Sequence, residues 1–498
     1  MEPTFVKATP ESVGILSENV LGFLDQVEKE GVFFHSFALL KGDRVFAEGY
    51  RPPFGPETLH RMYSVSKTFT SMAVGLLEAD GLLRLSDPVI RFFPEHDSEE
   101  LHPYIRETTV RDLLMMATPF SVPTYCARMP AYEEPDWVWT FFHAEKPSHP
   151  AGTIFNYDTA GTYLLDAIVE RLTGRDFLTF LKERALYKTG FSPESWCVKA
   201  PEGYAWGGSG VECTLMDLAR FARLVMNKGN WRGEQLLPAD YVRAAVSRQI
   251  DNCQNGFVEP GHGTRGYGYQ IWVTADSTFS FLGMGTQLAI CMPEEDLLFV
   301  CTADTQGNEN AYATVFRALW QRIKEPCRKE SLPENGEAQQ RLQTRLSSLK
   351  YPVVQGAKTS AAAGCINGRF YALQDNPMGI TRLAVKLSED EGVLCWENAQ
   401  GYKELPFGIG KTVISTFPQD GYFGDTIGRP GDHRYRCIGS GAWTEEHKLR
   451  LKVDLIDDYF GNLTIHLGYK GDELGVYMQK HAEFFLDEYQ GFAGGKVE

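Results

Sequence analysis

The spacing of the apolar residues changes once along this chain, at a polar stretch bounded by prolines. That stretch, "PCRKESLPENGEAQQRLQTRLSSLKYP", runs from Pro326 to Pro352. Before it, strand-like and helix-like patterns mix. Val65, Phe69, Met72 and Leu76 step by four, three and four and draw one apolar stripe on a helix. After it, Leu449, Leu451, Val453 and Leu455 alternate with polar residues, as do Leu463, Ile465 and Leu467. Alternation puts one face of a strand in a core and the other in water. A chain with two such grammars is expected to build two cores. The expected division is a mixed domain over residues 1–326, a linker with a short helix over 327–352, and an all-β unit over 353–498, a lipocalin-like barrel or curled sheet.

Within the first region the order of elements is informative. "SFALLKGDRVFAEGY" reads as two strands around a Lys-Gly-Asp turn. Helical patterns follow over Ser64–Ala79, Thr109–Thr118, Ala160–Gly174 and Cys213–Gly229, the last with Thr214 as N-cap and Asp217 three residues on. "YGYQIWVT", "TQLAICMP" and "DLLFVCTA" then read as strands, and Glu309–Glu325 as a helix. Strands at both ends with helices between predict one sheet assembled from both ends of the region.

The formal net charge of −16 argues against a nucleic-acid partner, whose phosphates call for a clustered excess of Lys and Arg. No apolar run approaches the ~18 residues of a membrane span, and the first residues carry no secretory pattern, so the expectation is a cytoplasmic protein without membrane contact. The ten cysteines show no CxxC pair and read as reduced thiols. His143, His149, His262 and His481 show no metal-ligand spacing, so neither metal nor cofactor is expected.

Ser64 and Lys67 lie three residues apart at the start of the apolar helical stripe. Side chains so spaced share a helix face. A serine hydroxyl becomes nucleophilic only when a neighbour takes its proton. The spacing alone is weak: roughly two such pairs are expected by chance in a chain this long, and a second copy stands at Ser347 and Lys350 in the linker. Two further features give the first copy its weight. Tyr157 precedes a helix and can act as general base, then acid. "FLGMGTQLAI" (Phe281–Ile290) is rich in glycine where backbone N–H groups can hold an oxyanion. "GGSGVE" (Gly207–Glu212) is a second glycine-rich turn. Trp137, Trp139, Tyr125 and Phe142 precede Tyr157 in an irregular segment and read as packing residues or cleft lining.

In order, "MYSVSKTFTSMAVGLLEADGLL", "TVRDLLMMAT", "PAGTIFNYDTAGTYLLDAIVERLTG", "DLARFARLVMNKG", "GYGYQIWV" and "FLGMGTQLAICMPEEDLLFVCTAD" resemble the serine β-lactamase-related superfamily of class C β-lactamases, penicillin-binding DD-peptidases, esterases and 6-aminohexanoate-dimer hydrolases. The resemblance covers about residues 10–325. It implies an α/β (α+β) fold, an antiparallel sheet flanked by helices with an α-helical subdomain, and an appended β barrel. It implies Ser64 as acyl-enzyme nucleophile, Lys67 and Tyr157 as acid/base, and the backbone N–H groups of Ser64 and Met284 as oxyanion hole. Thr159, Gly283, Gly285, Phe281, Ser209 and Tyr125 are the expected substrate-binding residues.

Two departures narrow the chemistry. Thr159 stands where the family's YxN motif has asparagine. Phe281-Leu282-Gly283 stands where the Lys/His-Thr-Gly motif supplies a cation and a hydroxyl for the substrate carboxylate. The expectation is therefore hydrolysis of a small neutral ester or amide. A β-lactamase or D-amino-acid peptidase of the same fold, and a non-catalytic binding or sensor protein, are the alternatives. The expected partner is a small ester, amide or peptide-like molecule, with assembly into a homodimer left open.

Overall fold

The computed structural model describes residues 5–121, 136–143, 146–252, 265–274, 277–419, 434–482 and 486–498. The chain divides into two compact units, Met1–Leu349 and Lys350–Glu498.

The first unit is organised by a seven-stranded sheet. Its spatial order is Val6–Lys7, Arg44–Tyr50, Phe34–Lys41, Leu297–Ala303, Gln287–Met292, Phe279–Gly283 and Trp272–Val273. The first pair is parallel and the other pairs are antiparallel. Strands from both ends of the unit meet where Leu297–Ala303 pairs with Phe34–Lys41, as the order of patterns predicts. These central strands are buried along their length, because helices cover both faces of the sheet.

One face carries the helices Ser17–Lys29, Ala311–Leu319 and Gly336–Ser347. Their Phe23, Val27, Val315, Phe316 and Leu342 share a core with Phe37, Leu288, Ile290, Phe299 and Cys301. The other face carries Leu215–Met226, whose Phe221 packs on Phe281 at 5.7 Å between ring centroids. Phe221 also stacks on Phe69 at 3.7 Å, which joins the sheet to the helix Ser66–Ala79. That helix packs in turn on Thr159–Thr173, Phe177–Arg184 and Ala239–Ala245, which form the helical subdomain.

Local chemistry accounts for several element ends. Thr214 and Asp217 form the reciprocal capping box that their spacing predicts. Gly174 closes Thr159–Thr173 in the left-handed conformation at φ 70°. The Thr109–Thr118 pattern yields only Val110–Leu114, because the chain turns at Met116 with φ 56°. The Glu309–Glu325 pattern yields an α-helix over Ala311–Leu319 that widens into a π-turn over Trp320–Lys324. Phe281–Gly283, read from the sequence as the start of a glycine-rich run, belongs to the strand Phe279–Gly283.

The second unit is a closed nine-stranded β barrel. Its strands are Tyr371–Leu373, Arg382–Leu387, Glu391–Asn398, Gly401–Ile409, Arg436–Glu445, Lys448–Ile456, Phe460–Lys470, Glu473–Ala482 and Gly491–Val497. Closure comes from one parallel pairing, Gly408 with Ser440 and Ile409 with Gly441. Val413–Thr416 pairs along Arg436–Gly439. Closure removes the unpaired edges that an open sheet would present. The alternating residues Leu449, Leu451, Val453, Leu455, Leu463, Ile465 and Leu467 all enter one core with Trp396, Trp443 and Tyr469.

The helix Gly336–Ser347, in the stretch expected as a linker, buries Leu342 completely among the first unit's helices and strands. Leu342→Ala is expected to cost about 2–4 kcal/mol of stability. In denaturant unfolding followed by near-ultraviolet circular dichroism, the first unit's midpoint should fall; an unchanged midpoint would show that the helix adds nothing to that core.

Candidate active site

Ser64 does not open the α-helix that the sequence predicts around it. Tyr63–Val65 forms a single 3-10 turn, and the α-helix begins at Ser66. The cause lies one residue earlier, where Tyr63 sits at φ 47°. A bulky residue in the left-handed region is strained and persists only where its surroundings hold it. Tyr63 is buried, and the Arg61 guanidinium carbon lies 4.9 Å from its ring centroid. Neither Ser64 nor Ser66 caps the helix through its side chain. Instead the Ser66 hydroxyl accepts the Val211 N–H at 3.0 Å.

Lys67 is 1% exposed. Its ammonium donates to Ser64 Oγ at 3.0 Å and to the Gly208 carbonyl at 2.7 Å. It also lies 5.0 Å from the centroid of the Tyr157 ring. The Tyr157 side chain is hydrogen-bonded to Ser64, and its ring stacks on Trp272 at 5.6 Å. Desolvation raises the Tyr157 phenol well above its ordinary value, and the bond to Ser64 pulls it partly back. The phenol therefore holds its proton at neutral pH. Ser64, Lys67 and Tyr157, from two segments of the sequence, thus meet at one hydroxyl.

The turn after Gly283 lies against the turn that carries Ser64. A Cβ on Gly283 would stand 2.3 Å from the Met62 carbonyl oxygen and 3.2 Å from Val65 Cγ2. Only glycine permits that approach. Gly285 and Thr286 follow at φ 73° and 72°. The Gln287 carboxamide braces the turn, donating to the Met284 and Ala303 carbonyls at 2.8 Å each and accepting the Ala303 N–H at 3.1 Å. The Tyr312 hydroxyl donates to the Gly283 carbonyl at 2.7 Å.

The expected substrate-binding residues fare differently. Thr159 is half-buried at the first turn of its helix, beside Gly208, where an added Cβ would stand 2.5 Å from Thr159 Cγ2. Ser209 is buried, and its carbonyl and hydroxyl both accept from Arg61. Gly285 turns toward Gln287 and Asp304. Phe281 is a correction: its ring is 1% exposed and packs on Phe221 and Phe279 in the core between sheet and helix, so it offers no surface to a substrate. Strand alternation then sends Leu282 into the core on the opposite face. Of the packing candidates, Trp137 and Phe142 are buried and Trp139 is 37% exposed. Tyr125 and His262 lie outside the described residues.

Reading the sequence alone missed the Gly208 carbonyl, Trp272, Gln287, Tyr312 and Arg61. Only Gly208 carried a local signal, the "GGSG" run, and that signal indicates a turn rather than an acceptor for Lys67. Asp158, between Tyr157 and Thr159, caps the following helix through the Ala160 N–H and accepts from Thr118 Oγ1 at 3.0 Å. Among the described residues no group of three or more His, Cys, Asp or Glu is placed to hold a metal ion, and no helix is long and apolar enough to cross a membrane.

Gly283→Ala tests the close approach of the two turns. It is expected to lower kcat/KM on a small ester by ~100-fold, because displacing the Ser64 turn by an ångström costs about that much. Far-ultraviolet circular dichroism should be unchanged. Activity within twofold of the parent would show that the contact with Met62 does not position Ser64.

The chain is similar to several known proteins. Residues 24–321 match the family model described as Beta-lactamase. A 6-aminohexanoate-dimer hydrolase from Paenarthrobacter ureafaciens is 27% identical over 266 residues, covering 50% of this chain and 67% of that protein. A beta-lactamase from Escherichia coli (strain K12) is 25% identical over 251 residues, covering 44% of this chain and 59% of that protein. A solved structure titled as a putative 6-aminohexanoate-dimer hydrolase from Bacillus anthracis shares the fold at a TM-score of 0.50 and 18% identity, covering 66% of this chain and 88% of that one. On the extent of the family match, with a Ser64–Lys67 pair set where sheet and helical subdomain meet, the chain belongs to the Beta-lactamase family.

Proposed function

We propose that this chain is a serine hydrolase that cleaves a small neutral ester or amide through an acyl-enzyme on Ser64. One observation carries the reading: Ser64 Oγ accepts from the Lys67 ammonium at 3.0 Å while also bonded to the Tyr157 side chain. With Oγ accepting from the ammonium, its own proton is directed to the Tyr157 oxygen. Tyr157, once deprotonated, takes that proton as Oγ attacks the substrate carbonyl carbon. The Lys67 ammonium offsets the charge that develops on the pair. The backbone N–H groups of Ser64 and Met284 hold the tetrahedral oxyanion, a contribution of about 3 kcal/mol for one well-placed donor. Tyr157 returns the proton to the leaving oxygen or nitrogen as the carbon–heteroatom bond breaks. Water, deprotonated by Tyr157, then attacks the acyl carbon; the bond to Ser64 Oγ breaks, Tyr157 returns the proton to Oγ, and the acid product leaves.

Substrate class follows from what the third motif lacks. Phe281 and Leu282 are both buried in core packing and supply no cation or hydroxyl. A carboxylate-bearing acyl group would lose its counter-charge there, so neutral acyl groups are favoured. The relative named 6-aminohexanoate-dimer hydrolase supports amide cleavage within this reading. The relative named beta-lactamase keeps a second reading in view, hydrolysis of a β-lactam.

A fluorophosphonate probe is expected to label Ser64, and Ser64→Ala should abolish labelling and lower ester hydrolysis by at least ~1,000-fold. Retained hydrolysis would sink the reading. A chromogenic cephalosporin should turn over far more slowly than short-chain nitrophenyl esters; comparable rates, lost in Ser64→Ala, would establish the β-lactamase reading instead.

The protonated Tyr157 sets a pH dependence. Its pKa is raised, so the basic form grows as pH rises, and kcat/KM should climb from pH 7 toward pH 9. Tyr157→Phe should abolish that rise along with most activity. A profile that falls over this range would exclude Tyr157 as the base.

A further inference from the structure

Arg61 is 0% exposed and lies three residues before Ser64. A buried guanidinium is costly unless its donors are satisfied, so its partners report its role. Its Nε donates to the Ser209 carbonyl at 2.7 Å, and its Nη2 donates to the Ser209 hydroxyl at 3.3 Å. Its guanidinium carbon lies 5.0 Å from the centroid of Trp206 and 4.9 Å from that of Tyr63. One side chain therefore grips both the residue before the nucleophile and the turn that faces Lys67.

That turn needs holding. Gly208 supplies the carbonyl that accepts from Lys67 at 2.7 Å. Glycine at 207, 208 and 210 leaves its backbone free to rotate. The Ser209 N–H donates to the Trp206 carbonyl at 2.9 Å and orients the Gly208–Ser209 peptide from one side. Arg61 fixes the Ser209 carbonyl on the other. A short ladder ties the two segments further: Arg61 pairs with Glu212, and the Met62 N–H donates to the Val211 carbonyl at 2.8 Å. Thr70 Oγ1, on the nucleophile helix, donates to the Gly207 carbonyl at 3.0 Å.

We propose that Arg61 is a positioning residue for acylation: by holding Ser209 it fixes the Gly208 carbonyl that aims the Lys67 ammonium at Ser64, and by packing on Tyr63 it keeps the strained nucleophile turn closed. This rests on the reading of Ser64 as nucleophile. Arginine suits the position because its fork reaches the carbonyl and the hydroxyl of one residue while its flat face packs on two rings. Lysine keeps the charge and loses the fork.

The test is active-site titration of Arg61→Lys and Arg61→Gln with a fluorophosphonate, followed by the acylation rate of the titrated sites on a nitrophenyl ester. Both variants should titrate close to one site per chain. Arg61→Gln is expected to acylate ~100-fold more slowly and Arg61→Lys ~10-fold more slowly, with KM within about twofold of the parent. A merely structural role would reduce the number of titratable sites or the melting temperature and leave the rate per site unchanged; that result overturns the proposal. Failure of both variants to fold would also overturn it, assigning Arg61 to the fold alone. If the parent itself is not labelled at Ser64, the hydrolase reading fails, an outcome distinct from a labelled parent whose Arg61 variants acylate at the parent rate.

Discussion

The site depends on one buried ammonium. Lys67 is nearly inaccessible to solvent, and the hydration it gives up on folding is replaced by the Ser64 hydroxyl, the Gly208 carbonyl and the face of Tyr157. Each replacement draws a different element inward. The Ser64 bond requires the 3-10 turn before the helix. The Gly208 bond requires the glycine-rich turn 141 residues away to lie against that helix. The contact with Tyr157 requires the start of the helix Thr159–Thr173 to close over both. Charge burial and the meeting of sheet and helical subdomain are thus one constraint.

Backbone strain and close approach serve the same end. Tyr63 in the left-handed region breaks the helix early and leaves Ser64 on a turn of its own. The strand Phe279–Gly283 ends against the Met62 carbonyl, where a side chain has no room. Around that crossing the bracing is polar and specific: Gln287 to Met284 and Ala303, Tyr312 to Gly283, Arg61 to Ser209. Packing alone leaves glycine-rich turns with several conformations; hydrogen bonds from buried side chains select one.

Polar bonding and apolar packing are separated around Ser64. The Lys67 ammonium is held by polar bonds to Ser64 and Gly208, whereas the Phe281 and Leu282 side chains belong to the core. Phe281 belongs to an aromatic series, Phe69, Phe221, Phe281 and Phe279, that joins helix to sheet. The barrel of the second unit follows separate rules: it has its own aromatic core, and its sheet closes on itself.

The pairing of Ser64 with Lys67, the capping box at Thr214 and Asp217, the glycine closing the helix after Thr173, and the alternating strands of the barrel were all legible in the sequence. Each depends on residues a few positions apart, whose relation helix or strand geometry settles. The orientation of Phe281, the acceptor role of Gly208, the grip of Arg61 on Ser209 and the parallel pairing that closes the barrel were not. Each joins segments distant along the chain, and no spacing rule reaches across 148 residues from Arg61 to Ser209. By itself, then, the sequence determined that Ser64 and Lys67 share one turn and that two cores form. The tertiary structure decided what surrounds those residues: the carbonyl that receives the ammonium, the turn that faces Ser64, and the burial of Phe281. The reason is physical, since local periodicity is set by bond geometry, whereas desolvation and close contact exist only once remote segments have packed together.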